Sequence, residues 1–383
     1  MMSNATLETH DALIRTSDWL TDNEMPVALV LTETLEPALG ADAEIFPPTF
    51  AKDERVRERE GHPYNIDELR HDIAPPAAKG GEIVNICLID SVGSQANRME
   101  TCFKKKPLSG LVPQITVIAK EQKANLLDIG HRIADAAVRF SELEAEAHSA
   151  IANLEKNGNA LELARLAPTS LVFGFWDSRE TQFKFGRILS SVIRATNVSA
   201  ITRSAQFDAV FDAKQMFEDK EYKEYGTGNN NPLSAQGLQA APAVGTHGGV
   251  RVFGTITRRT QINLVGLRAL AATDEQGEIN EGETMKLRRY VLGLALVAAR
   301  CQTSYNLREG CLLARVSEKA EAIYSDGRRT DFKWDLKTVW EYAQAAAQEF
   351  DATLQSRQPR EVQFEVPKVR AKIESEKPKK GKK

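Results

Sequence analysis

Histidine and cysteine are scarce in this chain, six and four among 383 residues, and neither clusters. His10, His62, His71, His131, His148 and His247 stand apart with no HxH or HExxH spacing, so they compose no zinc-hydrolase site. His131 and His148 fall on a stretch of helical period without a partner at ligand spacing, and are expected at or near the surface. Cys87, Cys102, Cys301 and Cys311 form no CxxC pair, which predicts buried thiols rather than a disulfide frame or a zinc knuckle. Long apolar runs are missing too. The longest, near Val291–Ala299, is far too short to cross a bilayer, and MMSNATLETHDALIR lacks the basic start and apolar block of a secretory signal. The expected location is the cytoplasm. No GxSxG surrounds Ser91 or Ser94, and no GxGxxG or GxxxxGK[ST] stands between a strand and a helix. No cofactor or metal is called for.

What is present describes a globular protein: 42 % hydrophobic and 27 % charged residues, enough chain for one large or two modest domains with a sizeable core. The net charge of −3 conceals its distribution. Acidic residues are absent from three windows. Thr101–Lys120 carries Lys104, Lys105, Lys106 and Lys120; Thr181–Phe207 carries Lys184, Arg187, Arg194 and Arg203; Val250–Ala272 carries Arg251, Arg258, Arg259 and Arg268. Three basic windows in a slightly acidic chain predict a basic face for a polyanion. Arg55, Arg57 and Arg59 alternate with acids, which suits a solvated loop as well as a nucleic-acid contact.

Periodicity sketches the elements. A short amphipathic helix (Ala12 to Leu20) precedes an apolar strand over Pro26–Leu31. Ile86–Ile89 predicts a second strand, Leu111–Ala119 a third, and Leu171–Trp176 a central one in which Gly174 implies a bulge or a close neighbouring backbone. Alternation from Val250 to Leu264 predicts a strand pair with its basic tip at Arg258-Arg259. Apolar residues at three- and four-residue intervals predict helices over Leu126–Leu154, Ala160–Leu166, Glu283–Arg300 and Asp335–Thr353. LLARV suggests one more strand. The run 226–249, rich in Asn, Gly, Pro and Ala, reads as a long loop, and residues 356–383 as a basic disordered tail.

The densest chemistry lies in Asn85–Lys106, where a strand ends at Asp90 and turns through Ser91, Gly93 and Ser94 into Gln95, Asn97 and Arg98. Asp90 can serve as a helix N-cap or a metal ligand. Gln95, Asn97 and Arg98 suit either a buried network bracing the helix or contacts with a nucleic-acid backbone and its bases.

At DSVGSQANRME the sequence resembles the CRISPR-associated RAMP superfamily, and in it the Cas-seven-type backbone subunit of the type I-U (also called I-G) Cascade complex. FPPTF, LVPQITV, LAPTSLVFGFWDSR and RILSSVIRATNVSAITRSAQFDA carry the resemblance across about Phe46 to Phe211. It implies an α+β fold: an RRM-like (ferredoxin-like) palm with finger-like and thumb-like insertions, at about 40–82 and 212–249, and additional C-terminal helices, in one domain over 1–355. It also implies a subunit without catalytic residues. Such a subunit oligomerises head to tail along the spacer of a CRISPR RNA and presents it for pairing with target DNA in antiviral defence. Its partners would be the guide RNA, target DNA, further copies of itself, the large and handle-capping Cascade subunits and a recruited helicase–nuclease. Ser94, Gln95, Asn97 and Arg98 carry over from the motif as RNA contacts. Lys104, Lys105, Lys106, Lys184, Arg187, Arg194, Arg203, Arg258 and Arg259 are added by charge alone. Two other classes remain open: a RAMP endoribonuclease using a strand-end carboxylate such as Asp90 with a metal, and a small-molecule enzyme using the Gly-rich loop.

Overall fold

The computed structural model describes residues 18–21, 26–50, 63–69, 83–225, 232–274, 276–302, 304–353 and 358–376. The expected helix over 12–20 is described only from Asp18, as a single turn to Leu20. The arginine-bearing loop at 51–62 lies outside the described residues, and so do residues 226–231.

The fold is α+β. Its strands are β1 Ala28–Pro37, β2 Ile66–Glu68, β3 Asn85–Asp90, β4 Ile115–Ala119, β5 Gln122–Asn125, β6 Phe175–Trp176, β7 Lys184–Phe185, β8 Leu189–Thr196, β9 Val198–Phe207, β10 Ala241–Val252, β11 Ile256–Asn263, β12 Tyr305–Arg308, β13 Cys311–Ile323, β14 Arg329–Asp331 and β15 Arg360–Gln363. The main sheet is antiparallel in the order β12-β13-β1-β11-β8-β3-β2, with β14 beside β13. β9 and β10 form a separate ribbon, and β15 pairs parallel with β4 beside β5.

Alternation decides the faces. On β11, Ile256, Arg258, Thr260 and Ile262 are buried while Thr257, Arg259 and Gln261 are not; on β8, Leu189, Ser191, Ile193 and Ala195 are buried opposite Ser190, Val192, Arg194 and Thr196. Against the inner face pack the Val92–Glu100 and Glu281–Cys301 helices. The latter is apolar nearly all round because the Leu336–Phe350 helix covers its other side. A Cβ on Gly293 would stand 2.8 Å from Ala343 Cα, so the two helices approach as closely as backbone allows. Helix starts are fixed by side-chain caps at Ser91, Asn280 and Asp335, each accepting a bond from a backbone N–H of the first turn.

Several expectations change. Leu126–Leu154 is not one helix. Asn125 and Asp135 cap short turns, Arg132 adopts a left-handed backbone (φ +56°), and a regular helix runs only over Glu144–Asn157, ending on left-handed Gly158. LVFGFW is mostly helical: Pro168 is the first residue of a Pro168–Phe173 helix, leaving only Phe175–Trp176 as strand. Gly174 does mark a close neighbouring backbone, since a Cβ there would lie 2.8 Å from Phe185 O. The strand pair at 250–264 exists as two strands that do not pair with each other. β10 pairs β9, whereas β11 lies between β1 and β8, so Arg258-Arg259 is mid-strand in the sheet rather than at a tip. Much of the predicted loop at 226–249 is the start of β10, and LLARV belongs to the longer β13. In the expected tail, Arg360–Gln363 is a sheet strand and Val366–Glu376 is a helix. Residues 377–383 lie outside the described residues.

Candidate nucleic-acid interface

The motif helix begins at Val92, earlier than the turn read through Ser91 to Ser94 allowed. Ser91 is its cap, with Oγ accepting from Ser94 N at 3.2 Å. Asp90 is neither cap nor exposed ligand. It is fully buried, and its carboxylate accepts from Ser94 Oγ (2.8 Å), Gln95 Nε2 (2.6 Å), Arg98 Nε (3.1 Å) and Arg308 Nη2 (3.0 Å).

From Gln95 the network crosses the sheet. Gln95 Oε1 accepts from Arg258 Nε at 2.9 Å and from Ser191 Oγ at 3.1 Å. Arg258 Nη1 donates to Glu33 Oε2 at 2.6 Å and to Ala299 O at 3.2 Å. Glu33 Oε1 accepts from Tyr305 Oη at 2.6 Å and from Arg315 Nη1 at 3.2 Å. This polar belt lies between two apolar clusters, one containing Leu29, Leu31 and Ile262, the other Leu35, Cys87 and Ile193. Both charges of its central pair are buried but hydrogen-bonded on several sides, the condition under which interior charge is tolerated. Gln95 and Arg258 are therefore internal braces rather than RNA contacts. Arg98 and Ser94 are half-buried and bound to Asp90, and Arg98 also donates to Leu307 O. Of the four residues carried from the motif, Asn97 alone is exposed.

A second buried pair lies behind the same helix. Arg132 Nε is 2.8 Å from Glu100 Oε2, and burial pushes the Glu100 carboxyl up to about 7 against the pull of Arg132 and Thr169.

The outer face of the sheet is different. None of the outward residues of β3, β8, β11 and the central part of β1 is buried: Ile86, Leu88, Ser190, Val192, Arg194, Thr257, Arg259, Gln261, Thr32 and Thr34. Register sets them in rows. Lys319, Thr32, Arg259 and Val192 lie side by side across four strands; Ser317, Thr34, Thr257, Arg194 and Leu88 form the next row. Arg194 and Arg259 are exposed, and among the described residues neither side chain makes a hydrogen bond or ion pair. Lys319, absent from the sequence-based set, joins them, with Nζ 2.7 Å from Glu321. Its signal was lost because its strand was expected to end at Val316. Small polar side chains around unpaired guanidinium groups leave room for a phosphate backbone to approach.

The remaining predicted cations are dispersed. Lys104 is held by Asp128 at 2.6 Å, while Lys105 and Lys106 are exposed beside it. Lys184 and Arg187 are exposed near Gly174, Lys184 standing across from exposed Trp176. Arg203, on the β9–β10 ribbon, lies over the Phe46 ring at 5.5 Å. The structure thus joins Arg194 and Arg259 on one open face and assigns Gln95 and Arg258 to the interior. His131 and His148 are surface residues as expected, facing Asp135 and Glu180.

Residues 29–200 match the family model described as CRISPR-associated protein GSU0053. Over this stretch the chain is similar to the CRISPR-associated proteins of the GSU0053 family. Among curated proteins, none matches the chain. The GSU0053 match takes in β1, β3, the capped helix and β8 with Arg194, and stops at the start of β9. Arg203, Arg258 and Arg259 lie beyond it, so their places rest on the sheet register alone. No helix among the described residues is long and apolar enough to cross a membrane.

Proposed function

We propose that this protein is a non-catalytic RNA-binding subunit of a CRISPR effector, the Cas-seven-type backbone of a type I-G (I-U) Cascade. Several copies line the spacer of a CRISPR RNA and hold its sugar-phosphate backbone, so that the bases face a target DNA. The observation that carries this reading is the open sheet face with Arg194 and Arg259 unpaired among short polar side chains. An RRM presents RNA with such a face, opposite its helices. Strand order supports the same reading. β13-β1-β11-β8, mutually antiparallel, with the Val92–Glu100 helix preceding β8 and the Glu281–Cys301 helix preceding β13, has the order of a βαββαβ ferredoxin-like palm. The β9–β10 ribbon, with exposed Phe207 at the end of β9 and Val210, Phe211 and Met216 beyond it, is the thumb-like excursion in this reading. The other partners are those of such an assembly: the large subunit, the handle-capping subunit and the recruited helicase–nuclease.

The test is purification from cells expressing a CRISPR array. The expected product is an oligomer rich in nucleic acid whose RNA is protected from nuclease and whose affinity falls steeply with salt but little with spacer sequence. A clean monomer that ignores CRISPR RNA, or one that cuts labelled RNA in magnesium, would overturn the reading.

A further inference from the structure

Two of the four cysteines lie together. Cys102 sits in the Thr101–Lys104 turn that continues the motif helix, and Cys301 is the last residue of the Glu281–Cys301 helix. The Cys102 thiol is 3.6 Å from Arg98 O, and the Cys301 thiol is 3.6 Å from Met99 O and 3.2 Å from Ala298 O. Both sulfurs therefore rest on successive carbonyls, Arg98 O and Met99 O, of one helix end, which sets the two thiols side by side. Both residues are partly exposed, whereas Cys87 and Cys311 are sealed in the core.

The environment divides the labour between them. The neighbouring Cys301 thiol, with help from nearby Lys105 and Arg258, draws the Cys102 thiol below its ordinary value despite partial burial. The neighbouring Cys102 thiol and burial push Cys301 up. Burial pushes the Cys87 thiol to about 12 and that of Cys311 to about 11, leaving them as inert structural groups. A thiol with enhanced thiolate character, reachable from solvent and beside a second thiol, is the arrangement of an attacking and a resolving cysteine.

We propose that Cys102 and Cys301 form a reversible dithiol–disulfide pair, oxidised by hydrogen peroxide, that fastens the motif helix to the long core helix. The Cys102 thiolate attacks a peroxide oxygen, the O–O bond breaks, and with one proton taken up a water leaves behind a sulfenic acid. The Cys301 sulfur then attacks the Cys102 sulfur, the S–O bond breaks, and a second water leaves with the Cys301 proton. The two thiols give up two electrons to the peroxide, and a dithiol reductant returns them. The new bond lies beside Met99, whose sulfur accepts from Arg258 Nη2, so oxidation locks the helix that supplies the polar belt.

The full-length protein is treated with hydrogen peroxide, alkylated, and mapped by mass spectrometry without reduction. The expected result is loss of two of the four thiols, a cross-link joining the Cys102 and Cys301 peptides, and full recovery with dithiothreitol. In Cys301→Ser the same treatment leaves Cys102 as a sulfenic acid trapped by dimedone; Cys87→Ser cross-links like the natural chain. Four titratable thiols after oxidation, or a bridge between two molecules instead of within one, would overturn the pair. Because mapping is done on the natural chain, a variant that folds poorly does not decide the outcome.

Discussion

Arg258 on β11 stands directly across from Glu33 on β1, and its Nη1 lies 2.6 Å from Glu33 Oε2 with both side chains 1 % exposed. Its neighbour Arg259 points the other way, into solvent. Removing one partner of a buried pair leaves the other uncompensated, so Arg258→Met is expected to cost about 3–5 kcal/mol. Arg259→Ala, on the same strand, is expected to change stability by less than ~0.5 kcal/mol. Urea unfolding of the two variants checks this contrast; equal losses would contradict the assignment of faces.

On the RNA side the order reverses. Arg194→Ala with Arg259→Ala should weaken binding of single-stranded RNA without unfolding the protein. The slope of log affinity against log salt should shrink by about 0.7 for each phosphate that the variant no longer neutralises. A nitrocellulose-filter titration at several salt concentrations provides the measurement. An unchanged slope would move the RNA to another surface.

Glu100 gives stability a pH dependence. Its carboxyl titrates near 7 when folded against 4.5 as its ordinary value. Between those values the native protein keeps a proton that the unfolded chain has released. Its stabilising contribution is therefore full below about 4.5 and is lost as pH rises through about 7, roughly 3 kcal/mol in all. Comparing urea midpoints from pH 5 to pH 8 should show a fall in the natural chain that Glu100→Gln lacks. Parallel profiles would remove Glu100 as the cause.

Gly293 separates helix propensity from packing. Alanine is the better helix former by about 1 kcal/mol, yet its Cβ would press on the Ala343 backbone, and overpacking costs about 1–3 kcal/mol. Gly293→Ala should therefore lower the melting temperature. Gly282→Ala, near the start of the same helix with only the Asn280 side chain nearby, should leave it unchanged or raise it. Calorimetry of the two variants distinguishes them, and a stabilised Gly293→Ala would refute the close approach.

Much of the scaffold was legible because local signals agreed with tertiary ones. The strands at Ala28 and Asn85 and the helices at Glu281 and Leu336 each combine a cap or turn with the right apolar period. Leu126–Leu154 misled because spacing alone cannot register that Asn125 and Asp135 cap short turns or that Arg132 is left-handed. Leu171–Trp176 misled because Pro168 opens a helix that runs through to Phe173. The site was legible by half. Arg258 shares strand parity with Ile256 and Ile262, which consigns it to the core, whereas charge counting grouped it with Arg259. That Asp90 would collect Ser94, Gln95, Arg98 and Arg308 needed tertiary structure, since Arg308 arrives from a distant strand.

β15 has a consequence for biosynthesis. It completes the small sheet by running parallel to β4, with Arg360 beside Ile115, and Arg360 also grips Glu146 at 2.6 Å. During translation β4 is made long before its partner. One edge of β4 stays unsatisfied while the main sheet and both large helices are still being synthesised, and closing so long a loop is entropically slow. The nascent chain therefore carries an open strand edge until Arg360–Gln363 has left the ribosome, the interval in which it is most open to mispairing or to a chaperone.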